Sequence, residues 1–322
     1  MNEAVIIGGG IHGTHISNVL CRDLGWREDR LKVIDPHECS CGRWKELTAR
    51  VGMEFLRSPI VHHLGLSPWD LIQFKKHNSS SQWATSLGSK ERPSLAMFNR
   101  HIDSVCENSG LQELRVRAEA LSVRPFGPGL RVETTAGRFD TRRVVLAINS
   151  NDQPAIPSWA EGFKDCARHI FEPCYSHDWA LASGEIAVVG AGITAAQAAI
   201  LISDRAPGRV VLLSRAPLEV AEYDSDACWM GPKCLNRFAL EKSYSRRRQL
   251  IQAARNKGTL TPEVFRELRR AERLGRLKLA VGNVEAVRCL DDGVVALLDS
   301  SGIELAAAGR VVLATGFLPG RR

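Results

Sequence analysis

One unit of sequence occurs twice in this chain, and it constrains the fold more than any other feature. The first copy is "EAVIIGGGIHGTHISNVL" and the second "GEIAVVGAGITAAQAAILI". In each, a short apolar stretch, Val5–Ile7 or Ile186–Val189, reads as a buried strand and runs into a glycine loop and a helix. Gly8, Gly10 and Gly13 give G-x-G-x-x-G; Gly190, Gly192 and Ala195 give G-x-G-x-x-A. The first glycine permits a tight turn, and the second lets backbone approach a pyrophosphate. The third position stays small so that helix and strand pack closely. Free N–H groups at the helix start then face the phosphates. Both copies also close alike. Short alternating strands joined by Gly or Asp-Gly turns lead into Arg-Val-Val-Leu-Ala at Arg143–Ala147 and at Arg310–Ala314.

The strand after each helix carries a second signal. "RLKVIDP" ends in Asp35, about 20 residues beyond the last glycine, where a carboxylate accepts hydrogen bonds from a ribose. "RVVLLSRAP" ends instead in Ser214-Arg215. A carboxylate there would repel a 2′-phosphate, whereas a hydroxyl and a guanidinium would bind one, so the second site should prefer NADPH to NADH. The other reading of Arg215 is a surface residue capping a strand. The fold expected is α/β, with two Rossmann-like dinucleotide-binding domains and β-meanders. Residues 1–160 form the first domain, 161–182 a linker and 183–322 the second, with a helical insertion at about 216–276. Within the insertion, Leu250, Ile251 and Ala254 mark the apolar face of one helix. A second helix starts at Thr261, with Pro262 in its first turn and Val264, Phe265 and Leu268 on its apolar face.

Bulk properties narrow the function. Lys and Arg number 43 against 36 Asp and Glu, a net charge of +7, which suits an anionic ligand without requiring nucleic acid. Arg246–Arg248 read as a solvated helix face, because no aromatic residues interleave them. No apolar run is long enough to span a membrane, and the first apolar run carries the glycine motif rather than a leader, so a cytoplasmic protein is expected. The 9 cysteines include no C-x-x-C and read as mostly buried free thiols in a reducing compartment. His37, Cys39 and Cys41 lack a second ligand pair at zinc spacing, so no metal is expected.

An acidic ribose partner in the first copy, a basic one in the second and a closing "LATG" at Leu313–Gly316 resemble two-dinucleotide-domain flavoproteins. Among these the sequence is most similar to the class B flavin monooxygenases, including the lysine and ornithine N-hydroxylases. The resemblance implies FAD on the first unit and NADPH on the second. It implies oxygen transfer through a flavin C4a-hydroperoxide to a nucleophilic amine, an amino acid being favoured, or to sulfur. "GRWKELTARVGMEFLRSPIVHHL" resembles the family segment that passes the flavin ring. On that likeness Met53 and Leu56, beside Phe55, border the cofactor, and Arg57, Ser58 and His63 are candidate catalytic neighbours of the flavin face. An ordinary loop with a buried Phe55-Leu56 pair is the alternative. "IFEPCYSHDWAL" half-matches the family's F-x-G-x-x-x-H signature: Phe171 and His177 agree, while Pro173 replaces Gly and Leu181 the aromatic residue. The first copy's closing strand reads "LAIN", with Asn149 standing where Gly is usual and tolerating left-handed backbone. By the same analogy Trp229 and Lys233 lie near a substrate entrance.

Three other classes stay open. A disulfide reductase would need a redox cysteine pair beside the flavin. A flavin-dependent reductase or dehydrogenase without oxygen transfer shares every motif. The third is one subunit of a split enzyme, or a non-catalytic partner. In the resembled family the chain returns to the FAD domain with a further strand and helix. Here Phe317–Arg322 reach only about 20 Å when extended. The expectation is that a partner, or a second copy of this chain, covers the edge of the FAD domain.

Overall fold

The structure, a computed structural model, describes residues 1–149, 153–290 and 293–318. Residues 1–49 and 53–150 form one compact unit; residues 50–52 and 151–322 form a second.

In the first unit, β1 (Asn2–Ile7) leads through the glycine loop into α1 (Ile11–Asp23), β2 (Leu31–Asp35) and α2 (Gly42–Arg50). Helix α3 (Asp70–His77), the short strands β3 (Ser86–Leu87) and β4 (Arg92–Pro93), and α4 (Leu95–Asn108) follow. The unit closes with β5 (Arg115–Arg117), β6 (Ala120–Phe126), β7 (Gly129–Thr134) and β8 (Gly137–Leu146). These make one sheet in the order β5-β2-β1-β8-β7-β6. The first four strands are parallel and the last two complete an antiparallel meander. Strand β1 is buried on both faces, as a central parallel strand must be. Ala4 and Ile6 enter a core with Leu31, Val33, Leu64, Met97 and Ile102, while Val5 and Ile7 enter a second with Ile34 and Val132. Helix α4 shows why its segment folds as it does. Ser94 caps it by accepting from Met97 N–H at 3.1 Å, and Met97, Phe98, His101, Ile102 and Cys106 recur on its buried face.

The second unit repeats the plan. It contains β9 (Ala167–His169), α5 (His177–Leu181), β10 (Ile186–Val189), α6 (Ile193–Arg205), β11 (Val210–Ser214) and β12 (Glu219–Val220). Then come α7 (Pro232–Leu240), α8 (Tyr244–Ala254), β13 (Thr259–Leu260), α9 (Pro262–Arg273) and β14 (Leu277–Val281). A meander, β15 (Ala286–Cys289), β16 (Val295–Leu298) and β17 (Glu304–Ala308), precedes β18 (Arg310–Leu313). The parallel sheet runs β14-β11-β10-β18-β9. The sequence repeat is a repeat of register: Ala4 pairs with Arg143 and Ile7 with Leu146 in the first unit, as Ile186 pairs with Arg310 and Val189 with Leu313 in the second. The copies diverge at their closing turns. Gly316 is left-handed, with φ +85°, and Asn149 is not.

Residues 161–182, expected as a linker, contribute β9, whose Ala167 to His169 pair in parallel with Val311 to Leu313. The expected helical insertion divides in two. Helix α9 buries Leu268 and Ala271, packs on α6 and is the crossover that carries β11 to parallel β14. Helices α7 and α8 bury no residue, so the apolar face expected on α8 is not put into a core. Thr261 precedes α9 as anticipated, with Pro262 at its start, but its hydroxyl makes no capping bond. One cysteine expectation fails. Cys228 and Cys234 form a disulfide, because the turn into α7 brings their Cα atoms to 5.3 Å. The other seven cysteines are free. No described helix is long and apolar enough to cross a membrane.

Candidate functional site

The first glycine loop is shaped by backbone contacts that leave no room for side chains. Gly8 has φ +108°, and a Cβ there would lie 2.5 Å from the Ala147 carbonyl oxygen. A Cβ on Gly13 would lie 1.8 Å from the Gly8 carbonyl oxygen, so α1 sits directly on the end of β1. Gly10 differs: nothing lies within 4 Å of where its Cβ would be. Its lack of a side chain is not needed by the protein itself and leaves an open approach at the start of α1, as a pyrophosphate requires.

Asp35, at the end of β2, is buried and already engaged. Its Oδ2 accepts from Gly9 N–H at 2.6 Å, and its Oδ1 accepts from His37 N–H at 2.9 Å. The His37 Nδ1 lies 3.0 Å from the same Oδ1. The Arg115 Nη2 lies 3.7 Å from Oδ1 and donates to the His37 carbonyl at 2.7 Å. The carboxylate is therefore held rigidly, and Oδ2 can accept one more hydrogen bond. Sequence reasoning missed both Gly9 and Arg115. The clue was the extra glycine in "GGG", at a position the fingerprint leaves free. A side chain there would strike the Arg115 Nη1 at 2.5 Å and the Asp35 Cβ at 3.1 Å.

The segment expected to border a flavin is tied to the same helix. His15 and Asn18 of α1 both lie 3.1 Å from the Leu64 carbonyl. Backbone bonds from Leu56 N–H to the Pro93 carbonyl and from Leu95 N–H to the Glu54 carbonyl fix the stretch in between. Met53, Arg57 and Ser58 are half-buried on it. Leu56, expected at the cofactor, is instead a core residue at 3% exposure. His63 is also absorbed by the protein. Its Nδ1 accepts from Gly65 N–H at 3.0 Å, its Nε2 lies 3.2 Å from the Pro68 carbonyl, and its ring packs edge-on against His101. Burial lowers the His63 pKa and pushes that of His101 down to about 4. Both rings are thus neutral packing elements at neutral pH, and neither is poised as a proton carrier.

In the second glycine loop, a Cβ on Gly190 would meet the Ala314 carbonyl oxygen at 2.6 Å, which reproduces the Gly8–Ala147 contact. Gly192 starts α6, and the Cα of Gly258, in the turn before β13, lies 3.8 Å from where its Cβ would be. Ser214 and Arg215 end β11 differently from what the sequence suggests. Ser214 is buried and its hydroxyl donates to the Ala216 carbonyl at 2.8 Å, while Arg215 is exposed. Of these two side chains, only the guanidinium is left exposed. Phe171 stacks on Phe317 with centroids 5.3 Å apart, beside His169, which burial pushes down to about 4. His177 opens α5 with Nδ1 3.2 Å from the Tyr175 hydroxyl. Trp229 and Phe238 pack edge to face beside the disulfide, and Lys233 on α7 is exposed.

No family model matches the sequence. Among curated proteins the chain is similar to Uncharacterized oxidoreductase CzcO of Bacillus velezensis, 29% identical over 90 residues, which is 28% of this chain and 26% of that protein. A CzcO-like oxidoreductase of Geobacillus kaustophilus is 29% identical over 91 residues, also 28% of this chain and 26% of the relative. The matched stretch thus spans about a quarter of these relatives. Among solved structures, the chain resembles L-lysine 6-monooxygenase from Pseudomonas syringae, with a TM-score of 0.71, 17% identity, and coverage of 99% of this chain and 81% of that one. It also resembles the ornithine N-hydroxylase of Kutzneria sp. 744, with a TM-score of 0.72, 15% identity, and coverage of 98% and 81%. Likeness at this level of identity establishes the fold, two Rossmann-like units arranged in sequence as in these enzymes, and leaves function to be argued from the sites.

Proposed function

We propose that this chain is an FAD- and NADPH-dependent oxidoreductase, a monooxygenase that hydroxylates a nucleophilic amine, with an amino acid as the favoured substrate class. The observation that carries the reading is the pair of glycine loops in one register, the first with a held carboxylate at Asp35 and the second with an exposed guanidinium at Arg215. The first site fits a dinucleotide: open space at Gly10, an acceptor left on Asp35 Oδ2, and a buried Arg115 Nη1 without a hydrogen-bond partner among the described residues. At the second, Gly192 and the exposed Arg215 fit a 2′-phosphorylated dinucleotide, with Ser214 supporting the strand end rather than the phosphate.

When bound, FAD supplies hydride acceptance and oxygen activation, chemistry no protein side chain provides. The residues of this chain bind and orient. Backbone N–H groups at the start of α1 meet a pyrophosphate, and Asp35 accepts from a ribose. Met53, Arg57 and Ser58 are the candidates to border the ring, since Leu56 and His63 are committed to packing. Arg215 selects NADPH by charge. The likeness to lysine and ornithine hydroxylases supports the amine class.

The test is the visible spectrum of the purified chain, followed by NADPH oxidation with and without oxygen, with peroxide and hydroxylamine measured. Flavin bands and an oxygen-dependent hydroxylamine from lysine or ornithine support the reading. NADPH oxidation by an artificial acceptor with no oxygen requirement would point to a reductase. Absence of any flavin binding would reject both. The expected partner rests on apolar side chains such as Leu146, 62% exposed at the end of β8, and a solution mass of one chain would remove it.

A further inference from the structure

The buried guanidinium of Arg115 is only partly satisfied by its protein contacts. Its side chain is 7% exposed. Nη2 donates to the His37 carbonyl at 2.7 Å and stands 3.7 Å from Asp35 Oδ1. Nη1 is buried and has no hydrogen-bond partner among the described residues. It rests on the backbone of Gly9, 2.5 Å from where a Cβ would be, in the middle of the glycine loop. A buried cationic N–H donor without an acceptor is strongly unfavourable, and such groups are normally satisfied. Close by, Asp35 Oδ2 has taken only Gly9 N–H and can accept once more. A missing acceptor and a missing donor thus stand together beside one glycine. The strand register permits this meeting: Arg115 pairs with Val33, two residues before Asp35, and its side chain reaches along the strand to the carboxylate.

We infer that Arg115 is a specificity-determining residue of the first site: it donates through Nη1 to a ribose oxygen of the dinucleotide's adenosine half while Asp35 Oδ2 accepts from a ribose hydroxyl, so that the two side chains read the vicinal diol together. This rests on the FAD reading of the first site and deepens it. A carboxylate alone only accepts; a sugar hydroxyl both donates and accepts, and the acid–base pair matches both roles. Gly9 is glycine because this arrangement occupies the space of its side chain.

The experiment titrates the full chain, freed of flavin, with FAD and with FAD analogues lacking the adenosine 2′- or 3′-hydroxyl, followed by flavin fluorescence. Wild type should bind at least one analogue about tenfold or more weakly than FAD, the loss expected for a hydrogen bond to a charged group. Arg115→Met should weaken FAD by about tenfold or more and shrink the penalty for at least one analogue, by the share that the guanidinium supplies while Asp35 keeps its own. Gly9→Ala, which displaces the guanidinium without removing it, should do the same, and it stands in if Arg115→Met does not fold. Equal binding of FAD and both analogues to wild type overturns the inference. So does an Arg115→Met variant that keeps the full penalty for both analogues. Wild type that takes up no FAD at all overturns the reading of the first site, and this inference with it.

Discussion

Two alanine substitutions one turn apart should fail in opposite ways. Gly13→Ala places a Cβ 1.8 Å from the Gly8 carbonyl oxygen and 3.3 Å from the Ala147 Cβ. The first neighbour is backbone at a turn with φ +108°, so it cannot swing aside. Helix α1 must lift from the end of β1. Overpacking in a close-packed core costs roughly 1–3 kcal/mol, and a clash with backbone belongs at or above the upper end. At about 2–4 °C per kcal/mol for a unit of this size, the melting temperature should fall by about 6–12 °C. Gly10→Ala meets nothing within 4 Å, and Gly10 sits at φ −75°, which alanine adopts freely. Alanine is the poorer helix cap, by about 0.5–1 kcal/mol, but it restricts the unfolded chain by a similar amount, so the melting temperature should hardly move. Its methyl group instead stands where a pyrophosphate must approach, and FAD affinity should fall by about tenfold or more. Thermal unfolding by circular dichroism on flavin-free protein, paired with FAD titration, separates the two. Melting of Gly13→Ala together with wild type, or an equal loss of stability in Gly10→Ala and Gly13→Ala, would contradict these assignments.

At the second site, Arg215→Ala should reduce the preference for NADPH over NADH by about tenfold or more, while Ser214→Ala leaves it nearly unchanged because that hydroxyl serves the Ala216 carbonyl; the ratio of dissociation constants decides. His101 titrates at about 4 in the folded chain against 6.5 in the unfolded one, its burial beside His63 opposing the charge. Above about pH 6.5 neither state takes up that proton; between about 6.5 and 4 only the unfolded state does, so stability falls across that window by up to about 3 kcal/mol. In His101→Phe, urea midpoints measured from pH 6.5 to 5 should decline less steeply than in wild type, and an unchanged slope would contradict the assignment. Reducing Cys228–Cys234 should loosen α7, which buries nothing, by about 2 kcal/mol for so short a loop, seen as faster proteolysis within the 228–254 segment with FAD binding unaltered.

Residues close in sequence announced much of the fold. The glycine loops, the strands before them, the helices after them and the twin Arg-Val-Val-Leu-Ala strands are local patterns, and local sterics make them legible. Asp35 was legible for the same reason, at a fixed distance from the loop. The surroundings of Leu56 and His63 in the sequence carry no information on their burial and bonding. One lies in the core and the other is tied to Gly65 and Pro68, facts that depend on how α4 and β4 pack. The Cys228–Cys234 pair hid because no sequence spacing distinguishes two cysteines facing across a turn from two that diverge.

Sequence by itself determined that this chain holds two Rossmann-like units, one with an acid and one with a base at the end of its second strand. Only the tertiary structure decided what each of those groups is free to do. Parallel pairing of β2 with β5 brings Arg115 onto Gly9 and beside Asp35, and the turn after β11 commits the Ser214 hydroxyl to the Ala216 carbonyl. The physical reason is common to both: a hydrogen-bonding group has few partners to give, and which ones are already taken depends on neighbours that the chain brings together only by folding.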